Sequence, residues 1–421
     1  MKVTVVGAGW VGIISAATLA HFGHEVVLTD NREERIIALA RGDLPFFEPG
    51  LDELFQAGIA SGKVRVVKAE PGTMADADIV LCSVGTPPLP NGAADLSAVF
   101  EVARDFGRGI ERSSVFVVRS TVPPGTGKFC QEMISEELRV RGSSVAFCIG
   151  SNPEFLAEGT AIRDSLEPER IIIGSESEGG ESALKELYAP LLANGVPLLS
   201  TNIPTSELTK YAANAFLATK VSFINEIANY AELVGASAQD IAKGMGLDSR
   251  IGPKFLRPGI GYGGSCLPKD VRALVAAGKE AGYRFQIIPE VDRVNVGQRV
   301  RMYEAFAGAL GSVRGKRIVL WGVSYKPGTD DTRESPALYF IDRLLREGAT
   351  VVTCDPKVGF KIRVQFPQVE VAVDAESSLK GADALALLTE WPEFLSYTLS
   401  ELRTRVREGI VLDARGVLQK R

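Results

Sequence analysis

The sequence predicts an α/β fold: two doubly wound parallel-sheet domains joined by a helical domain that carries one long central helix. Three observations lead there. Short β-rich runs alternate with helical stretches through the first part of the chain, the pattern of a mostly parallel sheet with helical crossovers. A helical pattern of about 30 residues follows. From Lys316 the opening strand–turn–helix–strand plan returns.

Taken in order, "KVTVV" is a buried strand, "GAGWVG" a turn, "IISAATLAHFG" a helix closed by Gly23, and "HEVVLTD" a second strand ending at Asp30. Further strands are expected in "DIVLCSVGTP", "SVFVVRSTVP", "VAFCIGSNPEF" and "RIIIGS", giving a Rossmann-like domain over 1–200. The stretch "TSELTKYAANAFLATKVSFINEIANYAELVG" has an N-cap candidate in Thr205, an acidic first turn at Glu207 and a stop at Gly235. Such a helix spans roughly 45 Å. It is apolar on more than one side, through Leu208, Tyr211, Phe216, Val221, Phe223, Ile224 and Ile227. It should therefore be covered on several faces, a subunit interface among them. A helical connecting domain is placed at 201–300, and a second Rossmann-like domain at 301–421. The latter holds strands in "KRIVLWGVSYKP", "ATVVTCDP", "DALALLTE" and "GIVLDARG", with a helix around "PALYFIDRLLREG". "FGHEVVLTDN" and "EGATVVTCDP" match in step, but the glycine fingerprint of the first turn is not repeated, which indicates a different ligand.

A hydrophobic fraction of 45%, a charged fraction of 24% and a net charge of −5 describe a soluble globular chain, without the basic stripe a nucleic-acid binder needs. The opening "MKVTVVGAG" is a strand and turn, not a secretory leader. No apolar run reaches the roughly 18 residues of a membrane span. A cytoplasmic protein without nucleic-acid or membrane partners is expected. The five cysteines form no CxxC pair. Cys82, Cys130, Cys148 and Cys354 read as small buried hydrophobes. The only histidines are His21 and His24, at the end of the first helix and the turn after it. A histidine base or a histidine-rich zinc site is thereby disfavoured, and no metal is expected. Acid–base chemistry then falls to Lys, Asp, Glu, Asn or water.

Gly7-Ala8-Gly9-Trp10-Val11-Gly12 is a GxGxxG turn between a strand and a helix, and Asp30 ends the next strand. In that context Gly7 permits the tight turn, Gly9 the approach of a pyrophosphate, and Gly12 the packing of helix on sheet. Asp30 would accept the adenosine ribose hydroxyls and repel a 2′-phosphate, which favours NAD, although Arg35 nearby could serve NADP. "GYGGSCLPKD" sets Cys266 at a helix start beside Lys269, where a thiol should have a lowered pKa. Covalent catalysis through a thioester and a purely structural cysteine both remain open there. Glu154 and Glu158 follow a strand end, where ligand loops lie in such sheets, and Lys210 and Asn214 share one helix face. A Lys–Asn pair could polarise a hydroxyl or stabilise an oxyanion; a solvated surface role is the alternative.

Together, "GAGWVG", "FFEPGLDEL", "VGTP", "STVPPGT", "SNPEFLAEGTAI", "ELTKYAANAFLATKVSFINE", "GYGGSCLPKD", "YKPGTDDTRESPA" and "DARGVL" resemble the nucleotide-sugar 6-dehydrogenases of the UDP-glucose and GDP-mannose dehydrogenase family, over essentially the whole chain. The resemblance implies oxidation of the sugar C6 hydroxyl to a carboxylate with two NAD and no metal. By the same resemblance Cys266 is the thioester-forming nucleophile, and Lys210 and Asn214 support the oxygen at C6. Asp270 and Thr121 position water and cofactor, Glu154 is a general acid/base, and Glu158 lies beside substrate and cofactor. NAD would meet Gly7, Gly9, Trp10, Val11, Gly12, Asp30, Arg35, Thr86, Thr121, Glu158, Lys269 and Arg333. The nucleotide-sugar would meet Glu154, Phe155, Leu156, Glu158, Lys210, Asn214, Arg257, Tyr262, Gly263, Tyr325, Lys326 and Arg415. Arg250 would reach a neighbouring subunit's site, which implies a homodimer or a higher homo-oligomer. "FLAEGTAI" and the surroundings of Arg250 favour UDP-glucose, while Leu267 after the cysteine is also found in the GDP-mannose branch. A single-step alcohol dehydrogenase of the 6-phosphogluconate type would have no use for Cys266, and a non-catalytic nucleotide-binding protein none for Cys266, Lys210, Asn214 and Asp270 together.

Overall fold

Val3, Val5 and Val6 in the first strand are all buried, as a central strand covered on both faces requires. The structure is a computed structural model that describes residues 1–419. By internal packing the chain divides into two compact units, Met1–Ala213 and Asn214 onward.

In the first unit, β1 (Lys2–Val6), β2 (Glu25–Asp30), β3 (Val64–Lys68), β4 (Ile79–Cys82), β5 (Ser114–Val118), β6 (Phe147–Ser151), β7 (Ile171–Ser175) and β8 (Leu198–Thr201) form one sheet. Their order is β3-β2-β1-β4-β5-β6-β7-β8. All neighbours are parallel except β6 and β7. The order reverses between β1 and β4, and at such a switch point a crevice opens beyond the carboxyl ends of the strands. The expected doubly wound sheet is present. Strands β3 and β8 were not read from the sequence: both are edge strands with half-exposed residues, so their apolar signal is weak. The helix Trp10–His21 is buried at every residue from Gly12 to Ala20.

In the second unit, β9 (Arg317–Trp321), β10 (Thr350–Cys354), β11 (Glu370–Val371), β12 (Ala384–Leu387) and β13 (Ile410–Asp413) form an all-parallel sheet in the order β11-β10-β9-β12-β13. Alternation along β9 feeds two cores. Ile318 and Leu320 pack with Phe340 and Ile341 on one face; Val319 and Trp321 pack with Phe394 and Leu402 on the other.

The long helix spans Ile203–Val234, 32 residues. It starts two residues before Thr205. The Asn202 Oδ1 accepts the Thr205 N–H at 2.9 Å, so Asn202 is the capping side chain and Thr205 lies inside the first turn. Gly235, at φ 72°, ends it as expected. Tyr211 and Ile224 are buried, but Leu208, Phe216, Phe223 and Tyr230 remain exposed on this chain. One face is thus left uncovered by the chain's own packing. Among the described residues no helix is long and apolar enough to cross a membrane.

Candidate functional site

The first turn explains its own glycines unequally. Gly7 has φ 103°, and a Cβ there would stand 2.9 Å from the Ser83 backbone. A Cβ on Gly12 would fall on the Gly7 carbonyl oxygen. Around Gly9 nothing lies within 4 Å of a Cβ position. Folding therefore demands Gly7 and Gly12, whereas Gly9 keeps open space over the start of the helix. That start carries no side-chain cap, which leaves backbone N–H groups for an anion. Asp30, buried at the end of β2, accepts the Ala8 N–H at 2.8 Å, and the Arg35 Nη1 donates to the Ala8 carbonyl at 2.8 Å. Asp30 also accepts from the Arg32 backbone N–H, Nε and Nη2 at 3.0, 2.8 and 2.9 Å. Burial pushes the Asp30 carboxyl up, but the Arg32 guanidinium and the backbone donors hold it below its ordinary value. The Thr86 Oγ1 donates to the Thr121 carbonyl at 2.9 Å, joining the loops after β4 and β5.

Beyond β6, the loop bearing Glu154 and Glu158 meets the first turns of the long helix. The Lys210 Nζ lies 2.9 Å from the Glu154 Oε1, with both side chains buried. The Leu156 N–H donates to the Glu154 Oε2 at 2.6 Å. Burial raises the Glu154 pKa, yet Lys210, that N–H and Arg119 together bring it below the ordinary value. Glu154 is thereby held as a carboxylate, a proton acceptor. The Phe155 ring carries the Arg170 guanidinium at 3.8 Å and the Lys210 ammonium at 5.5 Å. Glu158 is buried in the same loop. A residue missed from sequence organises this loop: the buried Glu48 accepts the Gly159 N–H at 2.9 Å, the Ala161 N–H at 2.8 Å and the Trp10 Nε1 at 3.3 Å. Val11 follows Trp10 in the first turn of its helix.

In the second unit, Cys266 occupies the N-cap of the helix Leu267–Glu280, with Pro268 in its first turn. Its carbonyl accepts the Asp270 N–H at 2.9 Å, and its Sγ lies 3.6 Å from the Ser265 Oγ. Asp270 is buried and accepts from the Asn214 Nδ2 at 2.6 Å and the Lys269 Nζ at 2.5 Å. The Lys269 ammonium is thus directed to Asp270, a destination the sequence did not suggest. The glycines before Cys266 allow close approach of two loops. A Cβ on Gly264 would stand 2.7 Å from the Tyr325 ring, and one on Gly263 would strike the Glu334 carbonyl. The Gly264 N–H donates to the Arg333 carbonyl at 2.8 Å. Asn295 holds Tyr262 by both backbone groups, at 2.8 and 3.0 Å. Arg415 donates to the carbonyls of Leu388, Gly261 and Tyr325 at 2.7, 3.3 and 3.0 Å, so it fastens three loops. Arg257 reaches Glu390 at 3.9 Å, and the Lys326 ammonium sits 5.6 Å from the Tyr325 ring. Arg250 is exposed and pairs with Asp248, and Arg333 is exposed and pairs with Asp331.

The remaining cysteines lie within strands or a helix rather than at a helix start. Burial pushes Cys82 and Cys354 up to about 12 and raises Cys130 as well; Cys148 is half-buried on β6. His24 is buried with its Nε2 on the Leu187 carbonyl, and burial lowers its pKa.

A glycine turn opening a bare helix end, with an aspartate closing the next strand, is the arrangement of a dinucleotide-binding site. Sequence comparison makes the class specific. The UDP-glucose/GDP-mannose dehydrogenase family matches through its NAD binding domain over residues 1–192, its central domain over 204–296 and its UDP binding domain over 319–420. The UDP-glucose 6-dehydrogenase of Rhizobium meliloti is 41% identical, covering 100% of this chain and 96% of its own. That of Pseudomonas aeruginosa is 39% identical, covering 99% and 94%. A UDP-glucose dehydrogenase structure from Pyrobaculum islandicum superposes with a TM-score of 0.91 at 35% identity, covering 99% of this chain and 94% of that one. The chain belongs to the UDP-glucose/GDP-mannose dehydrogenase family. It is an NAD-dependent nucleotide-sugar dehydrogenase with the doubly wound fold that its sequence indicated.

Proposed function

We propose that this enzyme oxidises the C6 hydroxyl of UDP-glucose to the carboxylate of UDP-glucuronate. What carries this reading is Cys266 at the N-cap of its helix, in a chain whose full-length relatives are UDP-glucose 6-dehydrogenases. NAD fits the first turn, where Gly9 leaves space, the helix end is uncapped and Asp30 can accept ribose hydroxyls; when bound it supplies the hydride acceptor. Lys210, paired with Glu154, stabilises the C6 oxygen as its proton passes to water and C6 gives up its first hydride to leave the aldehyde, assisted by Asn214. The Cys266 Sγ then adds to the aldehyde carbon to give a thiohemiacetal, so that the aldehyde is retained on the protein. Loss of the second hydride leaves a thioester. Glu154, held ionised, takes a proton from the attacking water, and hydrolysis releases the carboxylate and restores the thiol. Asp270 orients Asn214 and Lys269. By the family resemblance the nucleotide-sugar meets Glu158, Phe155, Leu156, Tyr262 and Arg415, and the cofactor meets Thr86 and Thr121.

We also infer a cytoplasmic homodimer. Phe216, Phe223 and Tyr230 are exposed at seven-residue spacing on the long helix, an apolar stripe of about 20 Å that a second copy would cover. Purified protein should form two NADH per UDP-glucose consumed, with uronate as product. Cys266→Ser should make no uronate while binding NAD with unchanged affinity by calorimetry; full acid formation by that variant would sink the thioester route.

A further inference from the structure

Asp30 is already saturated by the protein. It receives one hydrogen bond from Ala8 and three from Arg32, and a carboxylate offers about four lone-pair sites. Ribose hydroxyls must therefore compete with the Arg32 side chain for the same two oxygens. The two groups differ in mobility: the Asp30 side chain is 5% exposed and fixed at the strand end, whereas that of Arg32 is 55% exposed. Arg32 is the group that gives way. Once displaced, its guanidinium stands at the rim of the ribose position, with Arg35 anchored on the Ala8 carbonyl close enough to repel it. The local balance is one carboxylate against two guanidinium groups.

We propose that Arg32 is a specificity-determining residue for the cofactor ribose. It competes with NAD for Asp30 and, once the Asp30 carboxylate is removed by substitution, binds a 2′-phosphate, so that a single carboxylate separates this site from NADP. Guanidinium groups favour phosphate through planar paired donors, and Asp30 opposes it by charge. The inference rests on NAD binding at the first glycine turn.

The test is calorimetric binding of NAD and NADP to the full chain without sugar, on the wild type, Arg32→Ala, Asp30→Ser, and Asp30→Ser with Arg32→Ala. Arg32→Ala should tighten NAD about threefold, since an exposed competitor is removed. Asp30→Ser should weaken NAD and tighten NADP about tenfold, an effect that fades with salt. The double variant should lose the NADP gain, and Asp30→Ser with Arg32→Lys should recover part of it. Unchanged or weaker NAD binding by Arg32→Ala, together with a full NADP gain in the double variant, would overturn the role of Arg32. Absence of NAD binding by the wild type would instead refute the cofactor site itself. Cooperative melting of every variant well above the assay temperature excludes unfolding as the cause.

Discussion

After β1 and after β9 the chain takes the same left-handed step at a glycine, Gly7 at φ 103° and Gly322 at φ 82°. In both units an aspartate beyond the next strand grips the turn: Asp30 accepts the Ala8 N–H, and Asp355 the Val323 N–H. There the likeness ends. Asp355 is claimed by the N–H groups of Val323, Ser324, Lys357 and Val358, by the Ser324 hydroxyl and by the Trp391 indole. It has no capacity left for a ligand. Three of the four bonds to Asp30 come from Arg32, two of them from its half-exposed side chain, and can be exchanged. The helix following Gly7 begins at Trp10 without a cap, whereas that following Gly322 begins only at Pro336 and is capped by Ser335. The same strand–turn–aspartate pattern leaves an exchangeable carboxylate and a bare helix end in one unit and forms a structural clasp in the other. What separates them is who owns the carboxylate and the helix end.

The largest expected effect tests the first turn. Gly12→Ala should cost more than about 3 kcal/mol, because its Cβ overlaps a backbone oxygen that cannot retreat. Gly9→Ala should stay within about 1 kcal/mol in a thermal melt and yet bind NAD less tightly. If both variants melt alike, Gly9 is a folding residue and the contrast within the turn collapses.

A second effect belongs to the first unit alone. Glu207 accepts the Gly125 and Gly127 N–H groups at 2.6 and 2.8 Å, and burial pushes its pKa up to about 7 from 4.5. The folded state then binds a proton more tightly than the unfolded chain. Its contribution is fully present below pH 4.5 and lost as pH rises through about 7, to a total of about 3 kcal/mol. Glu207→Gln should flatten the melting temperature across that window; an equally flat wild-type profile would show that the two N–H donors already keep Glu207 ionised.

Smaller effects divide the two aspartates. Asp355→Ala should lower stability by about 2 kcal/mol by orphaning buried donors, with NAD affinity unchanged. Asp30→Ala should cost about 1 kcal/mol of stability but about tenfold in NAD affinity. A loss of NAD binding in Asp355→Ala would erase the distinction.

Much of this was legible in the chain. The central strands announce themselves by apolar runs, Gly23 and Gly235 by stopping helices, and Asp30 and Cys266 by their place beside a glycine turn and a helix start. Edge strands β3, β8 and β11 were not, since their residues face solvent and carry little pattern. Local grammar also misplaced the start of the long helix, because the capping Asn202 lies outside the periodic run. Glu48 was hidden for a different reason: its partner Gly159 is 111 residues away. The only trace in sequence is an acid inside the apolar "FFEPGL", and nothing local tells which backbone it will hold. Arg32 was passed over for Arg35 because spacing does not reveal which arginine reaches the carboxylate.

The packing of Gly264 on the Tyr325 ring has a consequence for how this chain can diverge. With only 2.7 Å available and φ at 87°, any side chain at 264 is excluded while the ring remains, and a smaller residue at 325 would relieve the crowding but not the backbone strain. Gly263 faces a carbonyl oxygen of Glu334, which every amino acid possesses, so no substitution there can make room. Mutational drift in the segment before Cys266 is therefore closed at these two glycines, and variation among descendants of this sequence must accumulate around the pair rather than through it.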